Sequence, residues 1–262
     1  MNNMSTALWS EVLKVRKSKL FPVTIGFFAF IAIMMGLLMI VAKHPELAGR
    51  SATLSAKASF LKNGNWPGFV SLILQAILSL GPFGYGIVAS WVFGREYSDH
   101  TVKDLLALPV SRSAIVAAKF VVVAVWGILM SVVFLLVAVV TAWIVNIPGW
   151  SPALFQNAVA AFSISVLLTI VLCTPVAFIA SVSKGYLLPI GYVILVLIMT
   201  QLVGMALPGV VVYFPWIVPA LCSGMAGSSL PQPDLVSYVV LALTCISGFA
   251  GTLAWWELAD QT

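Results

Sequence analysis

Charge is scarce along this chain of 262 residues. Only 8% of the residues are Asp, Glu, Lys or Arg, while 61% are hydrophobic. A soluble domain is about half apolar and about a quarter charged. So few charges cannot cover a globular surface that faces water on all sides. The composition therefore predicts a polytopic membrane protein, and the mean hydropathy of +1.10 agrees.

Sequence motifs for catalysis and for metal binding are also missing. No G-x-x-x-x-G-K-[ST] stretch is present, so the chain has no phosphate-binding loop of its own. No H-E-x-x-H or other metal-ligand spacing occurs, and the histidines, His44 and His100, are far apart. Ionisable residues are almost absent between the ends of the apolar runs, where an intramembrane enzyme or an ion-coupled carrier would need them. We therefore expect no enzyme activity, metal or cofactor in this chain.

The cysteines and the net charge argue against two further kinds of protein, namely those with C-x-x-C sites and those that bind nucleic acid. The chain has three cysteines, Cys173, Cys222 and Cys245, in or beside apolar segments and without C-x-x-C spacing, so we interpret them as small core residues. The net charge of +5 comes from basic residues at the ends of apolar runs. Such residues anchor and orient helices against membrane lipids. We therefore expect no nucleic-acid partner.

Long apolar runs are what the sequence does contain. About 20 apolar residues span a bilayer as a helix. Six segments meet that criterion: residues 20–42, 69–93, 114–145, 154–181, 186–207 and 235–256. They predict an all-α fold with six transmembrane helices in a single domain over residues 1–262. The first run has no short apolar core followed by a cleavage site, so we expect it to be retained.

Residues 1–19 predict an amphipathic helix that lies in the membrane interface. At helical spacing, one side carries Leu8, Trp9, Val12, Leu13 and Val15. The other side carries Ser10, Glu11, Lys14, Lys17 and Ser18. A solvated tail before the first span is the alternative.

The distribution of Lys and Arg predicts the orientation, because cytoplasmic loops carry the excess of these residues. One side of the predicted membrane has nine: Lys14, Arg16, Lys17, Lys19, Arg95, Lys103, Arg112, Lys119 and Lys184. The other side has four: Lys43, Arg50, Lys57 and Lys62. We therefore expect both termini to be cytoplasmic.

Two segments are predicted on the outer side. Residues 43–68 form a polar loop. Residues 208–234 are apolar but contain five prolines, so they cannot span the membrane as a helix. We predict a re-entrant segment there, since irregular backbone at membrane depth must be covered by protein or water. A plain interfacial loop is the alternative.

A few mildly polar residues enter the predicted spans, chiefly Gln75, Ser79, Thr200 and Gln201. Two interpretations are open. These side chains line a substrate pathway, or they form hydrogen bonds that hold neighbouring helices together.

The densest cluster of charge, residues 94–112, lies between the second and third spans. Thr101 and Asp104 have the spacing of a capping box ahead of the apolar residues 105–108. Pro109 ends such a helix, because proline lacks the backbone donor. The segment therefore predicts a short helix on the cytoplasmic surface, suited to contact a soluble partner.

This stretch resembles the permeases of ABC exporters of the second type (ABC-2). In that family the connection reads Glu-aromatic, then Thr-x-Lys/Arg, an apolar run and Pro-x-Ser-Arg. The matching residues here are Glu96, Tyr97, Thr101, Lys103, Leu105, Leu106, Pro109, Ser111 and Arg112. His100 departs from the glycine or basic residue that is common in the family. In outline the whole chain looks most like the bacitracin-resistance and lantibiotic-immunity permease subunits.

The resemblance implies a function and a set of partners. Two permease subunits, identical or not, would form a dimer in a bacterial cytoplasmic membrane, and each would bind an ABC ATPase subunit that carries ATP and Mg. Residues 98–108 would be the coupling helix, and Glu96 and Arg112 would be candidates for salt bridges at that joint, with solvated charge at the interface as the alternative. The cargo would be lipophilic or amphipathic, such as a peptide antibiotic, a drug or a lipid-like molecule, and would contact spans one, two and five.

Two other functions remain open from the sequence. One is an ion-coupled secondary carrier, which the shortage of intramembrane charge and of internal repeats disfavours. The other is a membrane scaffold or sensor that transports nothing.

Overall fold

The computed structural model describes residues 3–44, 64–102, 110–224 and 232–258 of the chain. The α-helices in these ranges are α1 (Asn3–Lys17), α2 (Leu20–Lys43), α3 (Trp66–Ser98), α4 (Arg112–Ile144), α5 (Pro152–Val171), α6 (Thr174–Val182), α7 (Leu187–Ala206), α8 (Val218–Cys222) and α9 (Leu235–Leu258). Six stretches are long and apolar enough to cross a membrane, and α5 and α6 together form one of them. The predicted all-α fold with six spans is confirmed.

Helix α3 lies at the centre of the bundle and packs against α2, α4, α5, α6 and α7. It begins where the side chain of Asn65 accepts a hydrogen bond of 3.0 Å from the Gly68 N–H, with Pro67 in the first turn. It continues beyond the predicted end of the apolar run to Ser98, because Glu96 and Tyr97 are buried against other helices. Its last turn therefore belongs to the packed core.

The fourth predicted span is interrupted between α5 and α6. Pro175 has no N–H, so the carbonyl of Val171 loses its helical donor. The Thr174 hydroxyl lies 3.1 Å from that carbonyl oxygen and 2.9 Å from the carbonyl oxygen of Cys245 in α9, and it can donate to either. At this break α6 and α9 pack closely, since Gly248 has no side chain to hold them apart.

Most of the described basic residues lie at the helix ends on one side of the bundle, and we call that side the basic end. Its described basic residues include Lys14, Arg95, Arg112, Lys119 and Lys184. There α1 reaches α3, with Lys14 Nζ 2.9 Å from a Glu96 oxygen, and α4 reaches α9, with Arg112 Nη1 3.1 Å from the Trp256 carbonyl oxygen. Residues that we predicted to share the cytoplasmic side are thus brought to one end.

The opposite end is joined by hydrogen bonds between α2 and the end of α4. Lys43 Nζ donates to the carbonyl oxygens of Val145 at 2.8 Å and Asn146 at 3.1 Å. A cation there stabilises the negative end of the α4 dipole. Of the predicted outer loop 43–68, residues 45–63 lie outside the described part of the chain.

The predicted re-entrant segment 208–234 is described except for residues 225–231. It forms short helical turns at Val211–Tyr213, Pro215–Ile217 and α8, and Val211, Val212 and Leu221 make a small buried cluster. That this segment re-enters the membrane stays a prediction.

Asp234 directly precedes α9, and its carboxylate accepts a 2.9 Å hydrogen bond from the Ser237 N–H in the first turn. The hydrogen bonds from Ser237 hold the pKa of the Asp234 carboxyl below its usual value.

Candidate functional site

Four charged side chains from α1, α3 and α4 meet at the basic end, and we call them the ion cluster. Glu96 of α3 accepts from Lys119 Nζ at 2.7 Å and from Lys14 Nζ at 2.9 Å. Glu11 of α1 lies 3.4 Å from Lys119 Nζ and also pairs with Lys14. The exposed fraction of the side chain is 0% for Lys119, 2% for Glu96 and 5% for Glu11. Three of the four charges are therefore enclosed, and Lys14, with 21% of its side chain exposed, lies at the edge of the cluster.

Such burial is tolerable only if every charge has partners, because each ion loses several kcal/mol of hydration. Lys119 meets this requirement with two carboxylates and with the Val92 carbonyl oxygen at 2.8 Å. Burial alone lowers the pKa of Lys14, but the charges of Glu96 and Glu11 outweigh it, so that pKa is raised. The ion cluster is thus a closed, charge-balanced link between three helices.

The same region is tied to α9 through Trp256, which is fully buried. The Tyr97 ring packs edge-on against the Trp256 ring at 5.9 Å between centroids. The Trp256 indole N–H donates to the Ser181 hydroxyl of α6 at 3.0 Å, and Arg112 donates to the Trp256 carbonyl. Residues just before and just after the connection between α3 and α4 therefore contact the end of α9.

Several residues predicted to couple the chain to an ATPase are described. Thr101 is exposed, and its N–H donates to the Glu96 carbonyl oxygen at 2.9 Å. Ser111 caps α4, with its hydroxyl accepting from the Ala114 N–H at 3.3 Å. Four of the predicted coupling residues lie outside the described part of the chain: Lys103, Leu105, Leu106 and Pro109. The coupling helix itself therefore stays a prediction.

Glu96 and Arg112 both have partners within this chain, and salt bridges from them at the ATPase joint stay a prediction. The Glu96 carboxylate is buried and bound by two lysines of this chain. Arg112 donates to carbonyl oxygens at the end of α9, at 3.1 Å for Trp256 and 3.3 Å for Glu257. A buried carboxylate takes the nearest cations, and a helix C-terminus attracts an arginine.

Sequence reasoning missed Glu11 and Lys119 as members of this site. Glu11 was assigned to the polar side of α1, yet it is 4% exposed, while Trp9 on the apolar side is 64% exposed. The available signal was Lys119 itself, a cation followed and preceded by apolar residues, which indicates a carboxylate partner.

A second feature is a cavity of about 310 Å³, which we call the polar cavity. All four side chains that we predicted for a pathway line it: Gln75, Ser79, Thr200 and Gln201. It is also lined by Leu78, Pro82, Thr169, Leu172, Leu197, Trp216, Ile217, Pro219 and Ala220. Within the described ranges, no charged side chain lines it.

The polar cavity lies between α3, α5 and α7, and residues 216–220 complete its wall. Gln75 and Ser79 fall in the half of α3 that is nearer the opposite end. The resemblance implied contact with spans one, two and five. The cavity is lined by residues of spans two, four and five and of the segment after span five, and by none of α2 among the described residues. Contact of the cargo with spans one, two and five stays a prediction.

Comparisons with known proteins agree on one family. A family described as ABC-2 family transporter protein matches residues 7–202, which include the whole ion cluster and the α3, α5 and α7 walls of the polar cavity. A bacitracin transport permease protein, BCRB of Bacillus licheniformis, is 27% identical over 189 residues, covering 71% of this chain and 88% of that protein.

Proposed function

This chain belongs to the ABC-2 family of transporter proteins, and we propose that it is the membrane-spanning permease subunit of an ATP-driven exporter. Its membership supports a membrane permease of an ABC transporter, a transport subunit rather than an enzyme. The single observation that carries the mechanism is the ion cluster, which joins α1, α3 and α4 beside the connection that would contact an ATPase.

Energy would come from a separate ATPase subunit, because the chain contains no phosphate-binding loop. That subunit would hold ATP and Mg, and two permease subunits would assemble with two such subunits. When ATP closes the ATPases, the connections between α3 and α4 move together. Transport then follows as a shift between two states of the spans, which cargo and ATP both bias.

The ion cluster would transmit the movement of the connection to the membrane-spanning helices. Glu96 lies in the last turn of α3, directly before the connection, and binds Lys14 of α1 and Lys119 of α4. Movement of the connection therefore displaces three helix ends as one body. Direct contact with the ATPase is assigned to Thr101 and to the predicted coupling residues 103–109.

Leu105→Arg is expected to abolish binding of the ATPase subunit, because an arginine in the apolar face of the coupling helix would be buried unpaired at the joint. The measurement is co-purification from membranes in mild detergent, with the amount of ATPase normalised to the permease. Leu207→Arg is the matched control, since Leu207 lies beyond α7 at the opposite end and is 54% exposed.

Equal co-purification with both variants would contradict the coupling assignment. If no ATPase co-purifies with the unmodified chain, and vesicles containing that chain alone move solute without ATP, the exporter itself is contradicted. An ion-coupled carrier would then take its place. Against that carrier, Glu96 and Lys119 pair with each other at the basic end and do not line the polar cavity.

For the cargo we propose an amphipathic peptide antibiotic, on the strength of the relative's name as a bacitracin transport permease. Expression of the chain with its ATPase in a susceptible bacterium should raise the inhibitory concentration of bacitracin several-fold. A variant ATPase that binds but does not hydrolyse ATP should remove the effect. Resistance that persists with this variant would show that the chain protects without ATP-driven transport.

A further inference from the structure

Three side chains of the polar cavity have no partner among the described residues. Gln75, Ser79 and Gln201 are exposed on helices that cross the membrane, and no described residue forms a hydrogen bond with them. Unpaired amides and hydroxyls are costly against lipid, so such groups face water, protein or a polar ligand. Their convergence on one cavity therefore indicates a wet binding site.

Two hydroxyl groups in the wall, those of Thr169 and Thr200, can only accept a hydrogen bond from a ligand. Thr169 and Thr200 already donate their hydroxyl hydrogens, to the carbonyl oxygens of Ser165 at 2.7 Å and Val196 at 2.8 Å. Each threonine oxygen can therefore still accept a hydrogen bond from a ligand, but it cannot donate one.

Pro82 leaves one backbone acceptor without its helical donor at a residue that lines the same wall. It has no N–H, so the carbonyl of Leu78, four residues earlier in α3, lacks its helical donor. Leu78 and Pro82 both line the polar cavity. The side chains of Gln75 and Gln201 can turn either amide atom toward a ligand, but the fixed positions cannot adapt.

The remaining wall is apolar and uncharged in the described part of the chain, with Leu172, Leu197 and Trp216 among its residues. A charged ligand group would find no counter-ion there. We propose that the polar cavity binds an uncharged amphipathic group through its N–H or O–H donors, as in the secondary amides of a peptide backbone. Ester groups of membrane lipids offer only acceptors, so they can form no hydrogen bond with the Thr169 and Thr200 hydroxyls, whose hydrogens are already donated. This inference rests on the proposed function for its meaning as a cargo site, but the binding itself requires no ATPase.

Two neutral probes that differ by one hydrogen-bond donor test the proposal. N-methyldodecanamide has one N–H, and N,N-dimethyldodecanamide has a methyl group in its place. Each competes for the full chain in lipid nanodiscs against an N-methyl alkylamide that carries a photoreactive diazirine beside the amide. We expect labelling at residues that line the polar cavity. The N-methyl probe should compete at a concentration about 2- to 12-fold lower, the factor that one hydrogen bond supplies.

Thr200→Val removes one fixed acceptor at nearly constant shape, and it should bring the ratio between the two probes closer to one. Thr244→Val is the matched control, because the Thr244 hydroxyl also donates to a carbonyl four residues earlier, at 2.8 Å, but lies in α9 outside the cavity. Equal competition by both probes, or labelling elsewhere in the chain, would overturn the proposal. If no residue of the cavity is labelled because a second copy of the chain covers it, the proposal is also overturned. Loss of ATPase co-purification would count against the exporter and leave this result untouched.

Discussion

Replacing Glu96 with leucine is expected to lower the free energy of unfolding by about 3–5 kcal/mol, the usual cost of removing one partner of a buried ion pair. Lys119, whose side chain is fully buried, would keep only Glu11 at 3.4 Å as a counter-ion. The measurement is denaturant unfolding in lipid bicelles at neutral pH. Asp99→Asn is the control. Its carboxylate is 61% exposed and 3.8 Å from Arg95, so its loss should change stability by less than about 1 kcal/mol.

The double substitution Glu96→Leu with Lys119→Met separates charge from packing. It removes one charge of each sign and leaves Glu11 and Lys14 to pair with each other. Well-packed apolar residues often replace a buried ion pair at little cost. Most of the lost stability should therefore return. A double variant as unstable as the single one would mean that the shape of Glu96, rather than its charge, matters.

Gly248→Ala is expected to lower the free energy of unfolding by about 1–3 kcal/mol, the usual range for overpacking a close contact. A Cβ atom at Gly248 would lie 2.5 Å from the backbone nitrogen of Pro175 and 2.6 Å from the carbonyl carbon of Thr174. Backbone atoms cannot rotate away as a flexible side chain does, so α9 must move from α6. That movement would also weaken the bond from Thr174 to the Cys245 carbonyl.

Thermal unfolding in the same lipid environment measures this effect. Gly191→Ala in α7 is the matched control, since a Cβ atom there would meet no atom within 4 Å. Alanine is the better helix former by up to about 1 kcal/mol, so Gly191→Ala should be neutral or slightly stabilising. If both variants behave alike, the contact of α6 with α9 is looser than the structure indicates.

The spans were predictable because a bilayer demands apolar runs of a fixed length, and six such runs are present. The ends of the helices were harder to predict than the spans, because a helix can continue beyond the last residue of an apolar run. The apolar run of α3 stops near Phe93, but the helix continues to Ser98 because Glu96 finds cations on two other helices. No pattern local to one segment carries that information.

Only some of the residues that line the polar cavity could be predicted from the sequence. Gln75, Ser79, Thr200 and Gln201 could be singled out from the sequence because they are polar residues within apolar runs. Thr169 was not, since its contribution depends on which hydrogen bond its hydroxyl already makes. The ion cluster was not predicted for a similar reason. Glu11 and Lys119 are 108 positions apart, and only the packing of α1 against α4 brings them together.

The two helices on either side of the polar cavity, α3 and α7, differ in how far they are buried within this chain. In the most apolar window of α3, 61% of the residues are buried, whereas in that of α7 only 17% are. Displacing α3 would disturb contacts with five other helices, but α7 is restrained by far fewer. In the transport cycle that we propose, a force that reaches the cavity would change its volume chiefly by moving α7. The proposal therefore predicts that the position of α7 limits the size of the cargo.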